Sequence, residues 1–489
     1  MRVRHQLIAL LVCVIAAAGC GKQGSAPPVS AGRTSAGAAV QPDADRAARS
    51  YRFERNGWIF VHLEGTPAQI GYQHGYRLAA EIEDLLRVVK PLLLETSKRD
   101  WAFYRDVAEK ILWPGIDEEY RAELDGIVEG LAAKRVAADR WDIVALNAFE
   151  EIPDYYVPWL DAQQGRTPAG RAPGNCSAFV ATGDWTADHR IVIGHNAWTN
   201  YITGARWNIV FDIRPARGRR ILMDGLPGLI ASDDDFGMND AGIVITETTI
   251  TGFKGFDPSG TPEFYRARKA MQYSESIDDY VRIMVDRNNG GYANDWLIGD
   301  NKTGEIALFE LGLKNWTLDR TKNGYFVGAN FPVKAKLMKE ETDFDPANPA
   351  SSPNARRTRW EQLVAKYKGR IDAEAGKAFE ADKYDVIEKR DGPTERSLCG
   401  AVEHSPRGVP EWHWAPYFPG GTVQAKVADA TMAGRLEMWA ATGRPCSTDF
   451  LAEPFLAARP QFGWMRGLLR DMKSGPWTVF TTGMDGQAR

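Results

Sequence analysis

The chain has 489 residues, 44% of them hydrophobic and 25% charged, which suffices for a large buried core and excludes a chain disordered throughout. Length alone makes two or three domains the default, with one large sandwich fold as the other option. The formal net charge of −4 leaves no nucleic-acid footprint and names no partner.

The N-terminus carries an address. Arg2, Arg4 and His5 precede the apolar run Leu7 to Ala18, followed by Gly19 and Cys20. A basic start, a short apolar stretch and small residues at a cut site form a secretory signal over residues 1–19, too short to span a membrane stably. A Cys directly after Ala17-Ala18-Gly19 resembles a bacterial lipobox, which implies lipidation of Cys20 as the first mature residue. The expectation is a lipoprotein of the bacterial cell envelope, periplasmic or surface, held to the membrane by that anchor. An ordinary signal peptide cleaved nearby is the alternative. Residues 20–50, rich in Gly, Ser, Ala and Pro, read as a flexible tether.

The folded part begins with the strand-like run Trp58 to Leu63 and the turn Glu64-Gly65-Thr66-Pro67. Ile82, Leu85, Leu86, Val89 and Leu93 then recur at helical spacing. Tyr120, Leu124, Ile127, Val128 and Leu131 mark a second amphipathic helix, and Trp141 to Phe149 a third. Residues 51–175 are therefore expected to form a mainly helical N-terminal region. Between Asp161 and Gly174 the periodicity stops in a loop of Gly, Pro and Gln. Beyond it the period switches to strands at Ser177–Thr182, Arg190–Asn196, Trp207–Ile213, Ile243–Thr249, Asp295–Ile298 and Ile306–Leu311, with helical pieces near Ala267–Met271 and Arg357–Tyr367. Helices followed by a strand-rich body give an α+β layered architecture.

Five cysteines narrow the chemistry. Cys13 lies in the signal and Cys20 would carry lipid, leaving Cys176, Cys399 and Cys446 in an oxidising compartment. Three is odd, so at least one thiol stays unpaired within the chain. A Cys399–Cys446 disulfide is plausible, although sequence does not show that the two are near. Cys176 sits where the breaker-rich loop meets the first strand of the β body. A thiol there can attack the preceding carbonyl, so that the chain cuts itself between Asn175 and Cys176. The freed α-amine titrates near pH 8 and can take the thiol's proton, making one residue both nucleophile and base. On composition alone, a Cys before a strand is more often a small buried hydrophobe.

Asn175-Cys176-Ser177-Ala178-Phe179-Val180, followed by Gly194-His195-Asn196-Ala197-Trp198 and Tyr201, resembles the first hairpin of the phospholipase B-like proteins among the N-terminal-nucleophile hydrolases. Ser232-Asp233-Asp234-Asp235-Phe236, Thr246-Glu247-Thr248-Thr249 and Tyr292-Ala293-Asn294-Asp295-Trp296 resemble further segments of that family in the same order. Ile70-Gly71-Tyr72-Gln73-His74-Gly75 resembles the opening helix of bacterial relatives, and Leu436 to Ala440 their closing strand. The resemblance implies a four-layer αββα N-terminal-nucleophile hydrolase sandwich with a helical N-terminal region. Self-cleavage would yield a chain ending at Asn175 and a β-chain of residues 176–489. It further implies Cys176 as nucleophile, Asn294 as oxyanion donor and His195 as a catalytic-pocket residue, with Trp198, Thr248 and Thr249 lining the substrate pocket.

The activity expected is hydrolysis of an amide, or ester, bond in an acylated small molecule, lipid or peptide. His195 and Trp198 stand where bile-salt and penicillin relatives have Arg and Asp, which argues against those substrates. Acyl transfer through the same acyl-enzyme and a non-catalytic lipid-anchored envelope protein are the alternatives. A papain-like enzyme is a third, without its Cys-Gly-Ser-Cys-Trp signature. His195 could also be a core histidine, and His74 packs with its helix. Arg356, Arg357 and Arg359 read as a solvated helix start, with contact to an acidic substrate group as the alternative. His404 and His413 show no metal-ligand spacing, so neither metal nor cofactor is expected.

Overall fold

A computed structural model describes residues 43–167, 176–232 and 235–484. The signal, Cys13, Cys20, most of the tether, Asn175, Asp233 and Asp234 lie outside the described residues.

In chain order, α1 (Asp43–Ala47) leads into a hairpin of β1 (Tyr51–Arg55) and β2 (Trp58–Gly65). Five helices follow among residues 67–147: α2 (Pro67–Arg77), α3 (Ala79–Ser97), α4 (Trp101–Val107), α5 (Glu118–Ala133) and α6 (Arg140–Asn147), before α7 (Val157–Gln163). The turn residues set the helix starts. Pro67 occupies the first turn of α2 while Gln69 Oε1 accepts from the Thr66 amide at 2.9 Å. Asp100 and Asp139 cap α4 and α6 through their side chains.

The β body runs β3 (Ser177–Thr182), β4 (Val192–Asn200), α8 (Tyr201–Gly204), β5 (Ile209–Pro215), β6 (Ile221–Gly225), β7 (Phe236–Asn239) and β8 (Ile243–Thr249). Next come α9 (Glu263–Tyr273), α10 (Ile277–Val285), β9 (Asn294–Asp300), β10 (Glu305–Leu311), β11 (Trp316–Thr321) and β12 (Gly324–Gly328). The chain continues through α11 (Ala335–Glu341), α12 (Ser352–Lys366), α13 (Ala373–Glu380), the short pair β13 (Tyr384–Asp385) and β14 (Arg390–Asp391), β15 (Gly420–Asp429), β16 (Glu437–Thr442) and β17 (Thr478–Thr481).

Two sheets stack face to face. The larger has the order β1-β2-β5-β6-β7-β8-β9-β10-β11, the smaller β12-β3-β4-β15-β16-β17. Strand alternation sorts the core. Along β2, Trp58 and Phe60 join Ala178, Val180 and Ile193 between the sheets. Ile59, Val61 and Leu63 face the other way, packing with Ile82, Leu85 and Ile127 of the helical layer. On the far side of the smaller sheet, Phe179, Ala181 and Val192 pack on Trp360 and Phe379 of α12 and α13. The α+β class and its αββα layering are thus as expected.

The N-terminal region is less purely helical than its pattern suggests. Strand β2 is interior to the larger sheet, next to the edge strand β1, and pairs in parallel with β5 from Ile59↔Ile209 to Gly65↔Pro215. After the segment marked as the closing strand, β17 adds one more edge. Cys399 and Cys446 form a disulfide, with Cα atoms 6.2 Å apart, and Cys176 is the free cysteine among the described residues.

Candidate active site

Cys176 lies immediately ahead of β3, 1% exposed, with its backbone in the left-handed region at φ +85°. A side chain bearing a Cβ adopts that conformation at a cost of about 1–3 kcal/mol, and the surroundings must hold it there. Arg356 does much of the holding. Its Nη1 donates to the Cys176 carbonyl at 2.5 Å and to Ser177 Oγ at 2.9 Å. Its Nη2 donates to Asn330 Oδ1 at 2.8 Å, and Asn330 in turn donates to the Thr249 carbonyl at 2.9 Å. The guanidinium lies over the rings of Trp198 and Trp412, 4.6 and 5.3 Å from their centroids.

This corrects the reading of Arg356 as part of a solvated helix start. It is 0% exposed, and burial pulls its pKa down to about 9 against the charges of Cys176 and Glu411. Arg357 and Arg359 behave as expected for helix-surface residues, paired with Glu361 and Asp382. Arg356 begins one turn into α12 behind the Ser351 cap, and sequence gives no sign of which arginine of the cluster turns inward.

The thiol meets a polar group between the sheets. Cys176 Sγ donates to Asp235 Oδ1 at 3.5 Å, and His195 Nε2 is 3.7 Å from the same oxygen. Lys426 Nζ sits 3.5 Å from Asp235 Oδ2 and 3.0 Å from Asp224 Oδ2, where Gln424 Nε2 also donates at 2.7 Å. Strand register explains the convergence. His195 faces Ala178 of β3 on one side and Lys426 of β15 on the other, so three adjacent strands of the smaller sheet supply one patch.

Electrostatics keep this patch quiet. Burial pushes the Cys176 thiol well up, helped by Asp235 and Glu247 and opposed by the Trp198 backbone amide and Lys426. Burial, with Lys426, holds His195 well below the usual imidazole range, so it is neutral. Lys426 itself is raised: burial lowers it, but Asp224 and Asp235 outweigh that. A protonated thiol beside an imidazole of lowered proton affinity is a nucleophile still lacking a strong base.

The other expected residues divide. Asn294 opens β9 opposite Thr249, is 0% exposed, and neither polar atom of its amide has a hydrogen-bond partner among the described residues. A buried amide with unsatisfied donors fits a group awaiting a developing oxyanion. Trp198 is 0% exposed and spends its indole N–H on the Leu398 carbonyl at 3.0 Å, which makes it a wall. Thr248 Oγ1 has no partner among the described residues, whereas Thr249 Oγ1 donates to Tyr292 at 3.2 Å. Trp412, stacked edge-on to Trp198 with ring centroids 6.0 Å apart, also lines a cleft of about 300 Å³ with Leu92, Leu93, Phe149, Val157 and Trp414. His74 packs, as its helix suggested: its Nε2 accepts from the Gly228 amide at 2.9 Å.

Sequence reasoning missed Asp224, Lys426 and Gln424, and met Asp235 and Glu247 only within family-like segments. A signal existed for Lys426. It is a lone charge in the middle of Gly-Gly-Thr-Val-Gln-Ala-Lys-Val-Ala-Asp, which otherwise reads as a buried strand.

The Phospholipase B family model matches residues 103–308. An uncharacterized protein of Archaeoglobus fulgidus is 28% identical over 272 residues, covering 50% of this chain and 42% of the relative. A phospholipase B of Crotalus adamanteus is 24% identical over 320 residues, covering 55% of this chain and 57% of the relative. The chain therefore spans about half the length of these curated relatives. A mutant conjugated bile acid hydrolase from Clostridium perfringens aligns at 13% identity and a TM-score of 0.31, over 55% of this chain and 89% of that one, too slight a likeness to argue from. The similarity to phospholipase B-like proteins read from the Cys176–Trp198 hairpin is borne out.

Proposed function

We propose that the chain is a self-processing hydrolase of acyl bonds, cutting itself between Asn175 and Cys176 and then using Cys176 as an N-terminal nucleophile. The observation that carries the reading is the state of Cys176: a buried, protonated thiol on a strained backbone immediately ahead of a strand, with its carbonyl clamped by Arg356. In the first step Sγ attacks the Asn175 carbonyl carbon. The S–C bond forms, the C–N bond to Cys176 breaks, and the thiol proton ends on the new α-amine. Water hydrolyses the thioester, leaving an Asn175 carboxylate and a free thiol. Release from the left-handed conformation contributes about 1–3 kcal/mol.

The α-amine then supplies the missing base, titrating near pH 8 in its unperturbed form. Substrate acyl carbon passes to Sγ, the leaving group takes the proton, and Asn294 donates to the oxyanion. Amides are the preferred class, because a thiol with an adjacent amine can protonate a poor amine leaving group; an ester follows the same path. The cleft beside Trp412, with Leu92, Leu93, Phe149 and Val157 on its apolar wall and Glu150 and Asp154 among its polar groups, suits an acyl chain carrying a polar end. Lipidation at Cys20 would hold the enzyme at the envelope membrane.

Denaturing gels and intact mass of the purified protein test the first step. Two fragments meeting at Asn175/Cys176 are expected, and Cys176→Ala should give one uncut chain. A wild-type chain still intact after days between pH 5 and 8 would sink the proposal. Matured protein screened against N-acyl amino acids, peptides and phospholipids then assigns the bond class.

A further inference from the structure

We propose that the Cys176 cluster is a binding site for one thiophilic divalent cation of the zinc class, and that such an ion holds the thiol inert. The blocking effect rests on Cys176 being the nucleophile; the binding does not.

Cys176, His195, Asp235 and Glu247 each place one ligand atom so that all four lie within 4.8 Å of one another. They come from β4, β8, the residue before β3 and the residue before β7, so no chain-local spacing announces them. Thiol, imidazole and two carboxyls are ligands zinc takes, and four is its usual number. Magnesium and calcium, which want six or more oxygens, are excluded by the sulfur and nitrogen.

The distances discriminate further. A tetrahedral ion with bonds of about 2.3 Å to sulfur and about 2.0–2.1 Å to nitrogen and oxygen has ligand edges of about 3.4–3.6 Å. The Sγ–Oδ1 distance is 3.5 Å and the Nε2–Oδ1 distance is 3.7 Å. Asp235 is also oriented as a ligand should be. Its Oδ1 faces Cys176 and His195, while its Oδ2 faces Lys426. A ligand carboxylate fixed from behind on its second oxygen is the usual support of a metal site.

His195 supplies the independent observation. It is 0% exposed, yet neither ring nitrogen has a hydrogen-bond partner among the described residues. A buried polar ring in that state has a lone pair to give and a penalty of about 1–3 kcal/mol to recover. Charge agrees. Asp224 and Asp235 share Lys426, Glu247 adds a third carboxyl beside Cys176, and the Arg356 guanidinium is already spent on Cys176, Ser177, Asn330 and Ser352.

Binding is balanced by one proton: the Sγ–H bond breaks, the Sγ–metal bond forms, and the proton leaves to water. The sulfur lone pair that would attack a carbonyl is then engaged.

Cobalt(II) reports the site directly. The full-length chain, produced and purified with Co²⁺ present, is expected to hold one equivalent with a thiolate-to-cobalt absorption in the near ultraviolet. Added Zn²⁺ should bleach that band and slow self-cleavage, and a chelator should restore cleavage. Glu247→Gln should weaken cobalt binding at least about tenfold while the chain stays folded by circular dichroism. Cys176→Ser should lose the band. No stoichiometric cobalt, or the same affinity in Cys176→Ser and Glu247→Gln, overturns the proposal. A chain that binds cobalt through sulfur and stays uncut after a chelator has removed the ion would refute self-processing and leave this site standing. A self-cleaving chain that takes no cobalt would do the reverse.

Discussion

At the scale of single residues, Asn294 and Arg356 are opposites. Asn294 is a buried amide with both polar atoms unpartnered among the described residues, so its presence costs stability. Asn294→Ala is therefore expected to leave the urea midpoint unchanged or raise it, while kcat falls about 10²–10³-fold from loss of one oxyanion donor. Equal loss of stability and activity would make Asn294 structural. Arg356 is fully spent on four acceptors, the Cys176 carbonyl, Ser177 Oγ, Asn330 Oδ1 and Ser352 Oγ. Arg356→Lys keeps the charge but not the fork, and each acceptor left alone costs about 1–3 kcal/mol. The expected readout is a lower urea midpoint at unchanged m, with slower self-cleavage because Cys176 is no longer clamped. Sequence made Asn294 and Cys176 legible, since each stands in a segment with a family likeness. It could not reveal Arg356, Asp224 or Lys426, because their meeting depends on strand register and on which side of a helix turns inward.

At the scale of elements, α2, marked by its motif, and α5, marked by its periodicity, meet backbone to backbone. A Cβ on Gly71 would lie 1.9 Å from the Glu123 carbonyl oxygen, and one on Gly75 2.1 Å from that of Ile127. From α5, a Cβ on Gly130 would lie 2.2 Å from the Tyr72 carbonyl oxygen. Glycines four apart on each helix let the backbones touch, which is the physical meaning of Gly71 and Gly75 in the opening-helix motif. Gly75→Ala meets backbone rather than a movable side chain, so the helices must separate. A loss at or above about 1–3 kcal/mol is expected, with a fall in thermal midpoint; an unchanged midpoint would mean that the helices are not so close. Periodicity exposed α3, α5 and α6 because each has one apolar face. It missed β1, whose Tyr-Arg-Phe-Glu-Arg run is half-buried to exposed, and it could not foresee β2 paired on both sides within a sheet of the β body. Parallel pairing of Ile59–Gly65 with Ile209–Pro215 joins segments 150 residues apart, which local pattern does not encode.

At the scale of the whole molecule, cleavage after Asn175 would divide one core between two chains. Strand β2 would still sit between β1 and β5, and the helical layer would keep its cluster with Phe211, Ile245 and Trp296, so the fragments should travel as one particle in native gel filtration. One contact across that division is set to respond to pH. Glu151, on the N-terminal side, accepts from the Asn289 side chain and, at 3.1 Å, from the Glu263 amide, both on the other side. Burial pushes its carboxyl up to about 7, against those hydrogen bonds and the charge of Arg266. Below its ordinary 4.5, bound and separated states are both protonated and this group favours neither. Between 4.5 and about 7 only the assembled state holds the proton, so assembly weakens as pH rises through that window. The full loss above it is on the order of 3 kcal/mol. Denaturant midpoints of the matured protein should therefore fall between pH 5 and 8 by more in the wild type than in Glu151→Gln, which cannot ionise. Parallel pH profiles for the two proteins would show that Glu151 is not the group that couples the fragments to pH.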